Sequence, residues 1–431
     1  MVLKAVILIG GPNTGTGFRP LTLDVPKPLF PIAGHPMIYH LIESCSQVEG
    51  LDEVLLIGSY QSDEQELKNF VSSVRKEFHL NVRYYQEFAQ LGTAGGIYHF
   101  RDQILSNEPE AFFVLNSDIC GEFPLTEMLQ FHREKRQGAD YHHKEVYTML
   151  ATEATRQQSH NYGCIVNRKE TGEVMHYVEK PETFVSTSIN CGVYLFSQHI
   201  FQHLSSAFKD KQSRPNFESK LPPTYRDESI SLEKDLLMEL AGTDKLFVYH
   251  TDSFWSQIKS AAGTIYANRN YLKIYRHKRP ERLRSNTDHG PQIIGDVWIH
   301  SSAEVHPTAT IGPNVSISKG AVIGAGARIK ESLILESAHV HDHACILHSI
   351  IGRDSTVGAY TRVEGTPNDP NPDKPFSKME VKGLFNSNGQ LNPSITIIGS
   401  RVQVPSEIVV LNTIVLPHKD ISGSEMNKII L

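Results

Sequence analysis

Cysteine is scarce in this sequence: five in 431 residues, at Cys45, Cys120, Cys164, Cys191 and Cys345, odd in number and without a C-x-x-C pair. Bridges and structural zinc sites both need paired cysteines, so a disulfide framework and a zinc module are excluded. Positive charge is also in the minority, with 42 Lys and Arg against 48 Asp and Glu for a formal −6. No basic run marks a nucleic-acid footprint. No stretch reaches the roughly 18 apolar residues of a membrane span, and residues 1–9 lack the flanks of a signal peptide. The expected setting is therefore the cytoplasm, with no membrane and no nucleic acid as partner. Anionic ligands would have to be held locally, by backbone amides and a few placed cations.

What is present is ordinary globular composition, 39% hydrophobic and 21% charged, in a chain long enough for two or three domains. Residues 2–9 are a continuous apolar run that stops at Gly10-Gly11, as a buried parallel strand does. Further strands are expected at 54–57, 82–85, 112–115, 147–151 and 193–196, with helical patterns at 63–77 and 95–105. Strand–helix alternation predicts an α/β domain with a mainly parallel sheet over residues 1–285. Ligands of such sheets gather at the carboxyl ends of the strands, which would bring Gly10, Gly11 and Asp118 to one crevice. Residues 209–227 read as a polar surface insertion.

From about Pro291 the period changes. Ile293, Ile299, Val305, Ile311, Ile317, Ile323 and Ile329 recur every six residues, each followed four positions on by a small or aliphatic residue. Hexapeptide repetition is the signature of a parallel β-helix, expected over 286–431. A phase slip near Leu347 precedes Ile351, Val357 and Val363. The repeat stops at a Pro-, Asn- and Lys-rich insert, 366–393, a length that is usually functional. It resumes with strands at 395–398 and 408–415.

The stretch Gly10-Gly11-Pro12-Asn13-Thr14-Gly15-Thr16-Gly17-Phe18-Arg19-Pro20-Leu21-Thr22, followed by Pro26-Lys27-Pro28, is a Gly-rich loop after a strand, where missing Cβ atoms let amides approach phosphates. It is neither a Walker A loop nor G-x-G-x-x-G. Downstream come Leu91-Gly92-Thr93-Ala94-Gly95, Asn116-Ser117-Asp118, Asn161-Tyr162-Gly163, Val178-Glu179-Lys180-Pro181, Asn190-Cys191-Gly192-Val193-Tyr194 and Ser231-Leu232-Glu233-Lys234. Singly, Asp118 reads as a turn cap, Lys27 and Lys180 as solvated lysines, and Glu233 as a first-turn carboxylate. His341-Asp342-His343 and His142-His143 read as surface histidines rather than metal ligands.

In this order the motifs resemble those of sugar-1-phosphate nucleotidyltransferases, and Phe254-Trp255, the insert and the Ile430-Leu431 end resemble the alpha-type branch of the GDP-mannose pyrophosphorylases. The resemblance implies a Rossmann-like nucleotidyltransferase domain followed by a left-handed β-helix. It implies that Gly10, Gly11 and Gly15 line the nucleotide phosphates, that Arg19 and Lys27 are the catalytic cations, and that Leu91, Gly92, Thr93, Ala94 and Gly95 flank the base. Asp118 would bind Mg²⁺ beside the nucleotide, and Asn161, Gly163, Glu179, Lys180 and Asn190 would contact the sugar and its phosphate.

Two positions depart from that pattern. Gly17 stands where the signature G-T-R carries its arginine, after a lengthened loop, and Gln257 stands where F-W-x-D-I-G carries a second Mg²⁺ carboxylate, with Lys259 replacing the glycine. A neutral amide is a poor Mg²⁺ ligand and an adjacent ammonium repels the ion. Weak or absent intrinsic activity is therefore expected. The function implied is a GDP-mannose-binding regulatory subunit that associates with itself and restrains a catalytic beta-type partner. The alternative is an active mannose-1-phosphate guanylyltransferase, making GDP-mannose and diphosphate from GTP and mannose 1-phosphate with Arg19 and a substitute carboxylate such as Asp252. An acyltransferase using His341 or His348 is a third reading, disfavoured by the motifs upstream.

Overall fold

Where both faces of a strand are covered, apolar residues run on without alternation. In the computed structural model the opening run forms such a strand, β1 (Leu3–Gly10), with Leu3, Ala5, Val6 and Ile7 fully buried. Its one charged member, Lys4, is 1% exposed and lies 2.8 Å from Glu53, with Ser106 accepting a second hydrogen bond at 2.6 Å. The structure describes residues 2–12, 18–138, 145–213, 229–380 and 383–431. They fall into two units: Met1–Thr14, Ile38–Trp255 and Asn371–Lys378 in the first, Gly15–Met37, Ser256–Pro370 and Met379–Leu431 in the second.

In the first unit, β2 (Leu51–Gly58), β3 (Asn81–Gln86) and β4 (Ala111–Asn116) run parallel to β1 in the order β4-β1-β2-β3. Beyond β4 the sheet is mixed. Its remaining strands are β5 (Tyr147–Glu153), β6 (Gly163–Asn167), β7 (Val174–Glu179), β8 (Ser188–Phe196) and β9 (Leu246–His250). β8 runs antiparallel to β4, β5 and β6, and β9 runs parallel to β5. Val6, Leu55, Val114, Met149, Tyr194 and Phe196 belong to one buried cluster that holds the sheet against its helices.

The helix expected at 63–77 spans Gln65–Phe78 and closes on His79, whose φ of 54° ends it in the left-handed region. The pattern over 95–105 forms two helices instead, Gly92–His99 and Arg101–Leu105. At Phe100 the backbone leaves the helical region (φ −96°, ψ 23°) while its N–H is shared between the carbonyls of Gly96 and Tyr98. Of the polar insertion at 209–227, helix Ile200–Ser213 takes the first residues, and 214–227 lie outside the described residues, as do His142 and His143.

The second unit contains the repeat. Short strands stack into three parallel sheets, the arrangement of a left-handed parallel β-helix, with inward Ile311, Ile317, Ile329, Ile346 and Val363 essentially buried. Gln292 pairs with Thr310 and Val297 with Val315, turns of 18 residues, whereas Leu333 pairs with Ile350 and Cys345 with Arg362, turns of 17. The phase slip expected near Leu347 thus comes first at Glu331 and recurs at His348. Both take a positive φ, 48° and 45°, which turns the corner one residue early, so Ile334 and Ile351 face inward. After the insert, Thr396–Ile398 stacks on Ser349–Ile351 and the coil resumes. The strand expected at 408–415 is two, Val409–Leu411 and Ile414–Val415, parted at Asn412 with φ 47°.

Residues 18–37 also belong to the second unit, held by helix Ala261–Lys278. Asn268, fully buried, accepts from the Ala33 N–H (2.9 Å) and the Ser316 hydroxyl (2.6 Å) and donates to the Asn314 carbonyl (3.2 Å). Gly34 (φ 85°) must be glycine, because a Cβ there would stand 2.1 Å from the Trp298 ring.

Candidate functional site

The carboxyl ends of three parallel strands meet in register: Leu8 lies opposite Asn116 and Gly10 opposite Gly58. Gly10 takes φ 66° and its carbonyl accepts the Ser59 N–H at 2.8 Å. A Cβ on Gly11 would sit 1.9 Å from the Ser59 hydroxyl. Both glycines are therefore demanded by the protein itself, leaving bare backbone at the strand tip. Asp118, half-buried, follows β4 in the turn to Ile119–Gly121. Asn116 Oδ1 is buried without a hydrogen-bond partner, a polar atom at this strand end that calls for a donor from solvent or ligand.

The motif at 91–95 opens its helix at Gly92 rather than at Gly95. Gly92 has φ 77°, and a Cβ on it would meet the Ile230 carbonyl at 2.4 Å. That carbonyl accepts the Ala94 N–H at 2.9 Å, capping the helix start from within the chain. Gly95 clears the Leu91 side chain. Thr93 and Glu233 are joined at 3.1 Å, Thr93 Oγ1 accepts the Leu232 N–H at 2.8 Å, and Ser231 donates to Glu233 at 2.8 Å. The two motifs, 139 residues apart for Leu232 and Thr93, thus interlock around a six-residue π-helix, Leu232–Leu237. Such helices cluster at functional sites.

Among the residues expected to meet a sugar, β8 carries an irregularity between Asn190 and Tyr194, with Gly192 at φ 73° inside it. A bulge re-aims the side chain before it. Asn190 Nδ2 donates to Tyr194 OH (2.8 Å) and Tyr177 OH (3.2 Å), and its Oδ1 accepts the Gly192 N–H (2.9 Å). Tyr177 in turn donates to Glu179 at 2.8 Å. A Cβ on Gly163 would collide with Tyr177 OH at 2.0 Å. Lys180, with φ 46°, holds its ammonium 3.4 Å from Glu179. Asn161 ends the turn Ser159–Asn161 and is exposed. Glu179, Tyr177, Asn190 and Tyr194 are therefore one hydrogen-bonded group, with Lys180 ion-paired to Glu179, Gly163 packed against Tyr177, and the Asn190 side chain engaged on both polar atoms by protein.

Sequence reasoning missed the neighbouring cluster. Trp255, 4% exposed, donates Nε1–H to the Cys191 carbonyl at 2.9 Å, and its ring stands 5.7 Å from that of Tyr162. Lys378, from the segment Asn371–Lys378 of the insert, places its ammonium 5.6 Å from the Trp255 ring centre. No motif marks Lys378; the insert's length was its one signal. Glu87 was missed too. At the end of β3, burial pushes its carboxyl up to about 7, and the missing Cβ of Gly96 makes room for it.

Arg19 and Lys27 belong to the second unit. Arg19 is exposed, and Lys27 lies 5.5 Å from the Phe18 ring centre. Gln257 ends the strand Trp255–Gln257, and Asp252 is exposed. Gly15 and Gly17 lie outside the described residues. Among the described residues no three His, Cys, Asp or Glu side chains gather as a metal site, and no helix is long and apolar enough to cross a membrane. His341 lines an open groove of about 530 Å³ on the β-helix with Gly358, Gln403 and Asp420. Burial lowers the pKa of His348.

The chain is similar to known proteins over its whole length. Residues 4–256 match the nucleotidyl transferase family, and residues 293–430 match a family described as the GMPPB C-terminal domain. The chain is 56% identical over 432 residues to a protein of Danio rerio named mannose-1-phosphate guanylyltransferase regulatory subunit alpha-A. It is 56% and 54% identical over 430 residues to proteins of Xenopus tropicalis and Homo sapiens named mannose-1-phosphate guanylyltransferase regulatory subunit alpha. Each match covers 100% of both chains.

Proposed function

This chain belongs to the nucleotidyl transferase family, and from that premise we propose that it is a regulatory, GDP-mannose-binding subunit of mannose-1-phosphate guanylyltransferase. In this reading it senses the product and restrains a catalytic beta-type partner. The observation that carries it is the complete sugar-side group, Glu179–Tyr177–Asn190–Tyr194, in a chain that has Gly17 and Gln257 where the family signature has an arginine and an aspartate. The full-length relatives, named as regulatory subunits, support it.

Each part has a physical role. Asn190 orders the two tyrosines, Tyr177 holds Glu179, and the Glu179 carboxylate and Lys180 ammonium are left to meet hexose hydroxyls and the phosphate beyond. The bare strand end at Gly10 and Gly11 takes nucleotide phosphates, and 91–95 flank the base. Mg²⁺, when bound in this family, neutralises charge building on the phosphates during transfer. Here the sequence suits it poorly: Asp118 is kept as a carboxylate, but Gln257 and Lys259 stand where the family signature has an aspartate and a glycine. Losing one charge-stabilising group in phosphoryl transfer can cost roughly 10³–10⁵ in rate. Holding a finished nucleotide sugar needs no such stabilisation, so binding survives where turnover does not. Association with itself and with the partner is assigned to the β-helix and the insert.

Calorimetry and a pyrophosphate assay on the purified chain test this together. GDP-mannose is expected to bind with and without Mg²⁺, while GTP plus mannose 1-phosphate releases no pyrophosphate. Ordinary turnover by the chain alone would make it an active guanylyltransferase instead.

A further inference from the structure

Lys378 is a cation of the first unit that belongs to none of the motifs. Lys378 reaches that unit on Asn371–Lys378, a piece of the insert between strands Arg362–Glu364 and Thr396–Ile398. Its backbone is clamped by Gln158, 6% exposed: Gln158 Nε2 donates to the Lys378 carbonyl at 2.7 Å, and the Lys378 N–H donates to Gln158 Oε1 at 2.8 Å. An amide that engages both backbone groups of one residue fixes its direction, and here it sends the side chain over the Trp255 ring, 5.6 Å from the centre.

Among the described residues, no carboxylate pairs with this ammonium and no acceptor receives a hydrogen bond from it. Burial lowers its pKa below the ordinary lysine value, with Cys191 and Glu153 pulling the other way. A partly desolvated ammonium set against a ring face is costly, since cation–π attraction and the more distant Glu153 charge recover only part of the lost hydration. Fixed in place, it is an anion site waiting for its anion. Its surroundings say which one. Gln158 immediately precedes the turn Ser159–Asn161, Tyr162 stacks edge-on against Trp255, and Trp255 is bonded to Cys191, the residue after Asn190. Lys378 therefore borders the group that holds Glu179 and Asn190.

We propose that Lys378 is a phosphate-contacting cation of this chain's own nucleotide-sugar pocket, delivered to it by the insert in the β-helix. The proposal rests on the nucleotide-sugar reading given under Proposed function. It supplies charge to a ligand in a chain whose signature arginine position is Gly17. A lysine suits that role, because its ammonium neutralises phosphate as a compact point charge.

The test is calorimetry on the full-length protein, wild type against Lys378→Gln and Lys378→Arg, with GDP-mannose and with guanosine, which lacks phosphate. Lys378→Gln is expected to weaken GDP-mannose binding by about 10- to 100-fold, the range for a lost hydrogen bond to a charged group, and to leave guanosine binding unchanged. Lys378→Arg should restore most of the affinity, and unchanged melting temperatures would show the folds intact. Equal GDP-mannose affinity in wild type and Lys378→Gln would overturn the proposal, as would an equal loss for guanosine. If wild type itself fails to bind GDP-mannose, the nucleotide-sugar reading falls first and this one with it.

Discussion

Glu87 shows how a single residue records the site around it. Burial raises its carboxyl to about 7 from a reference of 4.5, so the fold favours the neutral form. The sign follows for an acid whose folded pKa lies above its unfolded value: the stabilisation is whole below pH 4.5 and is lost as pH rises through 7. Glu87→Gln, neutral at every pH, is expected to match wild type at about pH 4 and exceed it at about pH 8. After allowance for solvent screening the gain is on the order of 1 kcal/mol. Thermal melts at the two pH values check this, and a Tm difference independent of pH would refute it. Several residues here could not have been understood singly. Gly163 stands in the motif Asn161-Tyr162-Gly163, yet the atom that excludes a side chain from it belongs to Tyr177, 14 positions on. Asn190 likewise directs its amide at two tyrosines.

At the scale of elements, the β-helix is held by a column of inward aliphatics, one per face of each turn. Ile346, fully buried in that column, is expected to cost about 2–5 kcal/mol when cut to alanine. Ile299, only partly buried in the first turn, should cost less on the same change. Urea unfolding of both variants measures the difference, and equal losses would deny that the column carries the stability. The six-residue period alone made these elements legible. The slips were not legible where they occur, because the period marks inward residues, while the shortening happens at corners such as Glu331 and His348. The break at Phe100 was hidden for a similar reason: apolar spacing continues across it while the backbone torsions leave the helical region.

At the scale of the molecule, the insert is the feature with the widest consequence. Its flanks are secured without it, since Ile350 pairs with Ile397 across the gap in sequence. Replacing 366–393 with a short Gly-Ser linker is therefore expected to leave the β-helix folded and to abolish restraint of the catalytic beta-type partner. Pyrophosphate release by that partner, with the shortened chain and GDP-mannose present, measures the effect. Unchanged inhibition would refute a role for the insert.

By itself the sequence determined the class of sheet, the coil and the order of the motifs, because periodicity and bare glycine are properties of neighbours along the chain. Only the tertiary structure decided that Leu91–Gly95 motif residues are capped by Ile230, that Tyr177 links Glu179 to Asn190, and that Lys378 stands over Trp255. The backbone clamp that sets Lys378 joins it to Gln158, 220 positions away. These pairings follow from which surfaces the folded backbone brings together, and local pattern carries no record of that.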